Sequence, residues 1–349
     1  MDQRIIISED LIADLSSAIE AVGHDKTFVL TDATTARLCC PLIRDCACVG
    51  DAPVITIAAG DEHKDLSSLA HVWGELSSLG ATRHSLLVNV GGGMVTDLGG
   101  FAASTFKRGV SFINVPTTLL AMVDASVGGK TGVNFNGLKN EIGVFNDATY
   151  VILSTQFLRT LDSGNIVSGY AEMLKHGLIS DTATWRELVG FDLCRPDLRR
   201  LQAMVARSVE IKERIVGIDP REKGIRKALN FGHTVGHALE ALSLRRNRPV
   251  LHGRAVAAGM VCELYMSCVK TAFPADIMRQ TVAFIRDNYE PIGFDCGDYD
   301  ELYELMTHDK KNVSGVINFT LLAAVGDIKI NQTASRDDIS AALDFYREG

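Results

Sequence analysis

Ser85-Leu-Leu-Val-Asn-Val90-Gly91-Gly92-Gly93-Met-Val-Thr-Asp97-Leu-Gly-Gly-Phe101 is the stretch that decides the fold. The apolar run ending at Val90 has the length and composition of a buried strand, and Met94–Phe106 carries helical apolar spacing. Three successive glycines between them let the backbone approach a bulky anion at the mouth of a helix. Strand, glycine turn and helix in that order form one step of a parallel sheet with crossover helices.

The same alternation extends outward. Thr27–Thr31, Val54–Ala58, Ser111–Val115 and Tyr150–Leu153 read as further strands, and Leu11–Ala21 and Leu66–Leu79 as helices. The C-terminal ends of such strands form a ligand crevice, and the triple glycine lies at one of them. From about residue 160 the pattern turns helical, over Ile166–Leu178, Leu198–Val216, Thr234–Leu242, Arg254–Thr271 and Ala275–Tyr289. One late exception is Gly315–Ile330, where Val316–Ala323 and Asp327–Ile330 flank Gly326 as a hairpin. The expected organisation is an α/β Rossmann-like domain over 1–158 and a mainly α-helical domain over 159–349. A cleft between two such domains is a preferred place for an active site.

At 349 residues, 46% hydrophobic and 22% charged, the chain reads as a soluble globular protein. Lysine and arginine number 35 against 43 aspartate and glutamate, a net charge of −8 that argues against general nucleic-acid or anionic-membrane binding. Asp2, Glu9 and Asp10 stand where a signal peptide needs basic and then apolar residues, and no window approaches an uninterrupted membrane span. Eight cysteines, at 39, 40, 46, 48, 194, 262, 268 and 296, include no Cys-x-x-Cys pair. Reduced thiols in a cytoplasmic protein are the expectation.

Two nucleotide motifs fail on inspection. Gly129-Lys130-Thr131 resembles the end of a P-loop, but the Walker pattern needs a glycine where Asp124 stands. Residues 91 to 97 also lack the G-x-G-x-x-G fingerprint. A glycine-rich strand-to-helix turn still cradles a pyrophosphate, with Asp97 on backbone or ribose; a tight turn with a helix-capping role is the competing reading.

Asn230-Phe-Gly-His233-Thr-Val-Gly-His237-Ala-Leu-Glu240 places two imidazoles at i, i+4 on one helix face, a common arrangement for a divalent metal. Thr234 follows His233, so this is not the zincin motif. His252 opens another helix, and Glu172, at i, i+3 from Lys175, could supply a carboxylate. A structural histidine is the competing reading for each ring alone, but together with a carboxylate in one helical domain they favour a metal. Basic residues recur at Arg108, Lys130, Lys139, Lys175, Lys212, Arg226, Lys310 and Lys311. Singly, each is a solvated surface charge; convergent, they would bind a phosphorylated, carboxylated substrate.

Across these residues the chain resembles the 3-dehydroquinate synthase family of sugar phosphate cyclases, and the Bacteroidetes members in particular. The motifs are GGGMVTDLGGF (91–101), VPTTLLAMVDASVGGKTGVN (115–134), KNEIG (139–143), GYAEMLKHG (169–177), GIRKALNFGHTVGHALEA (224–241) and LHGRAVAAGM (251–260). The resemblance implies a dehydroquinate synthase-like fold in which Glu172, His233 and His252 hold zinc or cobalt, and His237 lies near the substrate phosphate. NAD would contact Gly60, Asp61, Glu62, Lys64, Gly92, Gly93, Met94, Val95, Thr96, Asp97, Thr117, Thr118, Asp124, Lys130, Lys139, Phe157, Leu158, Arg159 and Thr160. Lys130, Asp124, Lys175, His237 and Asn140 would be the catalytic groups. Lys212, Arg226, Asn230 and one of Lys310 and Lys311 would join Lys130, Lys175 and His237 in binding substrate. Arg108 would reach in from a partner subunit, which implies a homodimer.

The implied reaction converts 3-deoxy-D-arabino-heptulosonate 7-phosphate to 3-dehydroquinate and phosphate in the shikimate pathway. It proceeds by transient oxidation, phosphate elimination, re-reduction and intramolecular aldol closure, so NAD is retained and net redox is zero. Two departures from the family pattern are Arg254, where many members carry an acid, and Gly143-Val144-Phe-Asn-Asp-Ala148, where Gly-Ala-Phe-x-Gln-Pro is common. Both are expected to alter packing rather than chemistry. The competing functions are another cyclase of the superfamily, a metal-dependent glycerol or alcohol dehydrogenase, and a degenerate binding scaffold.

Overall fold

The computed structural model describes residues 3–136, 138–307 and 317–349; Lys310, Lys311 and Val316 lie outside the described residues. Two compact units divide the chain, Met1–Asp162 with Asp197–Val209, and Ser163–Pro196 with Glu210–Gly349.

The first unit contains strands β1 (Arg4–Ile7), β2 (Thr27–Asp32), β3 (Val54–Ile57), β4 (Leu86–Gly91), β5 (Ser111–Pro116), β6 (Lys130–Phe135), β7 (Leu138–Phe145) and β8 (Tyr150–Leu153). Helices α1 (Leu11–Ala21), α2 (Ala33–Leu38), α3 (Ala47–Gly50), α4 (Leu66–Ser78) and α5 (Gly93–Thr105) lie among them. Six strands form a parallel sheet in the order β1-β8-β5-β4-β2-β3. Strand β4 is buried along its whole length, which explains its unbroken apolar run. Register pairs Gly91 with Pro116, and Thr117 N–H donates to the Gly91 carbonyl at 2.9 Å. The glycine turn and Thr117 thus sit side by side at the C-terminal ends of neighbouring strands.

The stretch from Lys130 to Phe145 carries no reading from sequence, and it is an antiparallel hairpin, β6 with β7. Most of β7 is exposed, so its residues show no alternation of apolar and polar side chains from which a strand could be read. Strand β1, four residues at the sheet edge, is too short to show a period in the sequence.

The second unit holds helices α6 (Ser163–Leu178), α7 (Thr182–Val189), α9 (His233–Arg245), α10 (His252–Thr271), α11 (Ala275–Asn288), α12 (Tyr299–Thr307) and α13 (Arg336–Glu348). Helix α8 (Leu198–Ile218) contributes its residues to both units, changing at Val209. Strands β9 (Phe319–Ala324) and β10 (Asp327–Gln332) pair as an antiparallel hairpin around Gly326. Its core gathers Val235, Leu239, Ala258, Cys262, Phe319 and Leu343, each large aliphatic contributing roughly 1.5–3 kcal/mol on burial. Helices α7, α12 and α13 carry no reading from sequence; two are short, and α13 is amphipathic with a polar outer face. No described helix is long and apolar enough to cross a membrane.

Candidate active site

In the second unit, α6 carries Glu172 and Lys175 one turn apart, both fully buried. Lys175 Nζ donates to Glu172 Oε2. The other carboxylate oxygen, Oε1, is buried without a hydrogen-bond partner. It lies 3.3 Å from His233 Nε2 and 3.5 Å from His252 Nε2. His233 and His252 are the first residues of α9 and α10. On the far side of each ring, His233 Nδ1 sits 3.0 Å from the Phe231 carbonyl, and His252 Nδ1 sits 3.3 Å from Glu240 Oε2.

This arrangement has a definite chemical meaning. An Nδ1–H that donates to the Phe231 carbonyl leaves, in a neutral ring, a lone pair on Nε2 aimed at a carboxylate oxygen. Two acceptors that close require a proton or a cation between them. Two imidazole nitrogens and one carboxylate oxygen, each backed by a protein group, form a donor set suited to zinc or cobalt. His237, one turn beyond His233, brings a third imidazole, with ring centroids 5.3 and 5.8 Å from His233 and His252. The three rings offer nitrogens within 4.8 Å of one another. Burial opposes the charge on Glu172, yet Lys175 and His233 outweigh it and hold the carboxyl well below the usual range. Burial likewise opposes a charged His252, but the neighbouring carboxylates of Glu172 and Glu240 raise it to about 10.

Glycines explain how the helices come this close. Gly253, next to His252, donates its N–H to Ser168 Oγ at 3.0 Å, and a Cβ there would run into the Ser168 carbonyl. Ser168 is one turn before Glu172 on α6. At Gly259 a Cβ would collide with the Gly232 carbonyl, so α9 can begin only against a bare backbone.

Other residues singled out from the sequence also lie in this unit. Lys212 is on α8 and Arg226 on the 3-10 turn Ile225–Asn230 that leads into His233; both cations are buried. Arg226 donates to the Pro220 carbonyl at 2.5 Å, and Asn230 Nδ2 to Glu222 Oε1 at 2.7 Å. Arg254 anchors the neighbouring segment, donating from Nε to the Glu290 carbonyl and from a terminal nitrogen to the Pro291 carbonyl, each at 2.8 Å.

In the first unit a second cluster forms around the strand ends. Lys64 is buried and donates to Asp97 Oδ2 at 3.0 Å, with Asp61 Oδ1 at 3.6 Å. Lys139 Nζ lies 3.4 Å from Asp61 Oδ2. Asn134 joins them, donating to the Asp61 carbonyl at 2.9 Å and accepting from Asn140 N–H at 3.0 Å. Burial raises the Asp97 carboxyl, with Lys64 opposing. Helix α5 starts beside this cluster at Gly92 with no side-chain cap, so the glycine turn presents N–H groups suited to a pyrophosphate.

Thr117 is buried and Thr118 half-buried at the end of β5; Asp124 is half-buried on the π-turn Ala121–Ala125, and Lys130 opens β6 exposed. Gly60, with φ +111°, precedes the 3-10 turn Asp61–His63, where Glu62 is exposed. Phe157 and Leu158 are buried in the first unit, whereas Arg159 is exposed. The altered segment, which begins within β7, closes on Gly129, whose carbonyl accepts from Asn146 N–H at 2.8 Å. Arg108 is exposed at a turn where Lys107 and Arg108 both take positive φ, 49° and 71°, a strain of about 1–3 kcal/mol per residue.

No role attaches from sequence to Asn134 and Glu240 of these clusters, or to Glu263, buried on α10. For Glu263 a signal existed, a lone acid inside the apolar run Ala255–Met266.

Comparison with known proteins adds to this geometry. Residues 54–168 match the N-terminal and residues 169–312 the C-terminal domain family of 3-dehydroquinate synthase. A 3-dehydroquinate synthase from Parabacteroides distasonis is 54% identical over 347 residues, covering 99% of this chain and 98% of that protein. Among solved structures, 2-epi-5-epi-valiolone synthase from Streptomyces hygroscopicus with NAD+ and Zn2+ bound superposes with TM-score 0.88 at 24% identity, covering 99% of this chain and 97% of that one. A 2-deoxy-scyllo-inosose synthase complexed with carbaglucose-6-phosphate, NAD+ and Co2+ gives TM-score 0.82 at 24% identity, covering 99% and 96%. At that identity the two structures establish a shared fold.

Proposed function

The chain belongs to the 3-dehydroquinate synthase family, and from that membership we infer that it converts 3-deoxy-D-arabino-heptulosonate 7-phosphate to 3-dehydroquinate and phosphate. NAD and a divalent metal, zinc or cobalt, supply reversible hydride transfer and Lewis acidity when bound. The observation that carries the reading is the buried Glu172 Oε1, which lacks a hydrogen-bond partner and faces His233 and His252 Nε2 together.

Glu172, His233 and His252 would hold the metal, a three-residue set that leaves a coordination position open to substrate. Lys175, Lys212, Arg226, Asn230 and His237 would bind the carboxylate and phosphate of the heptulosonate, with Lys310 or Lys311. Buried cations suit this task because charge-assisted bonds strengthen where water is excluded. In the first unit, Gly92 to Asp97, Thr117, Thr118, Lys64 and Lys139 would bind the dinucleotide, its pyrophosphate at the start of α5. Asp61 and Asp97 hold Lys64 in place for that role. Asp124, Lys130 and Asn140 would complete the substrate contacts. Holding the reacting conformer in this way is worth roughly 7–11 kcal/mol of barrier.

The same reading makes the protein a cytoplasmic homodimer. All eight cysteines are free thiols, which suits a reducing compartment. Exposed Arg108 and the exposed apolar side chains of Phe135, Leu138, Val144 and Phe145 on the β6–β7 hairpin support a partner subunit there. The test is to incubate the protein with the heptulosonate phosphate, NAD and zinc or cobalt. Phosphate release without net NADH is the expected result. NADH accumulating from a simple alcohol, with no phosphate released, would replace this reading with a dehydrogenase.

A further inference from the structure

We propose that Glu263 is a positioning residue for the metal centre, its carboxylate fixing the start of α9, and so His233, against the helix that carries His252. The inference rests on the metal reading of Glu172, His233 and His252.

Glu263 is completely buried on α10. Its Oε2 accepts from Gly232 N–H at 2.6 Å, and its Oε1 from Thr234 N–H at 3.1 Å and Val235 N–H at 3.3 Å. The first N–H groups of any helix find no acceptor inside it, and α9 has no side-chain cap of its own. Its cap position is Gly232 at φ +79°, a left-handed backbone that a serine or aspartate cap would enter only with strain. A carboxylate from another helix takes over that duty, with charge and helix dipole both favouring the bond. The three bonded N–H groups bracket His233 on both sides in sequence.

The geometry of α10 ties this anchor to the second histidine. At about 100° per residue, the eleven residues from His252 to Glu263 bring the two to within about 20° on the helix surface. Val256 and Gly259 lie on the stripe between them. Val256 sits against Gly232 and Gly236, and a Cβ at Gly259 would meet the Gly236 nitrogen at 2.6 Å. One face of one rigid helix therefore presents His252 at its beginning and, three turns later, the carboxylate that holds His233. Spacing between the two imidazoles is set by α10 rather than by a loop.

The experiment uses the full chain stripped of metal, with cobalt added as the probe. Wild type should bind cobalt and show a visible ligand-field spectrum, and His233→Ala should lose both. Glu263→Gln keeps the shape of the side chain but turns an amide toward the N–H groups. We expect it to bind cobalt 10- to 100-fold more weakly, the range for loss of a group that orients a metal ligand, with a shifted spectrum. Glu263→Asp, which keeps the charge, should recover part of the affinity and serves as the variant if Glu263→Gln does not fold. Wild-type cobalt affinity and spectrum in Glu263→Gln, with only a lowered melting temperature, would overturn the proposal while leaving the metal reading intact. Cobalt bound equally well by His233→Ala and wild type would overturn the metal reading and the proposal with it.

Discussion

Gly253 and Ser168 touch backbone to backbone, the Gly253 N–H on Ser168 Oγ at 3.0 Å and no room for a Cβ above the Ser168 carbonyl. The contact joins the residue after His252 to the residue one turn before Glu172. Helix α10 can therefore begin only where its first side chain meets the buried carboxylate of α6.

Gly253→Ala should push those helices apart. Overpacking of a close contact costs about 1–3 kcal/mol, and the larger consequence is a displaced His252. We expect a lower melting temperature together with weaker cobalt binding. Calorimetric melts with and without cobalt check both, and cobalt affinity equal to wild type would separate the contact from the metal centre.

Two histidines a single turn apart should behave differently. His233→Ala should abolish metal retention and turnover, because its Nε2 faces Glu172. His237→Ala should keep the metal and slow phosphate release. Metal content after dialysis, beside phosphate assays, decides between them; equal metal loss in both variants would make His237 a ligand.

Lys64 bears on the first unit alone. Removing its ammonium leaves Asp97, already raised by burial, without its main counter-charge. Lys64→Ala should destabilise the protein by about 1–3 kcal/mol and weaken NAD binding, while cobalt affinity stays at the wild-type level. Fluorescence titration with NAD and a parallel cobalt titration provide the two readings.

Acid stability should report on the C-terminal helix. The bond from Lys270, followed by that from Ser335 N–H, holds the Asp338 carboxyl down at about 2. A folded value below that of the unfolded chain stabilises at pH above about 4. The benefit fades as pH falls from there toward 2. Asp338→Asn should thus cost about 1 kcal/mol near neutrality, with the gap to wild type closing in acid. Urea unfolding at pH 7, 5 and 3 measures it.

How much of this could be read without coordinates depends on how local each signal is. The run from Ser85 to Phe101 carries its own period, so β4, the glycine turn and α5 were legible. The β6–β7 hairpin was not, because its pairing is made between chain segments whose exposed residues show no alternation. Glu172, His233 and His252 were named as a set only through family resemblance; spacing alone pointed at His233 with His237. Lys64 with Asp97, 33 residues apart, and Glu263 with Gly232, 31 apart, left no joint mark in the chain.

By itself the sequence determined the buried strands and the longer helices, where the backbone lacks side chains, and which chemically able residues exist. Tertiary structure alone decided that one oxygen of Glu172 faces two imidazoles, and that a glutamate three turns along α10 caps the helix bearing one of them. The reason is physical. Periodicity and turn chemistry act over a few residues, whereas burial of a charge and collision of two backbones depend on segments that meet only when the chain is packed.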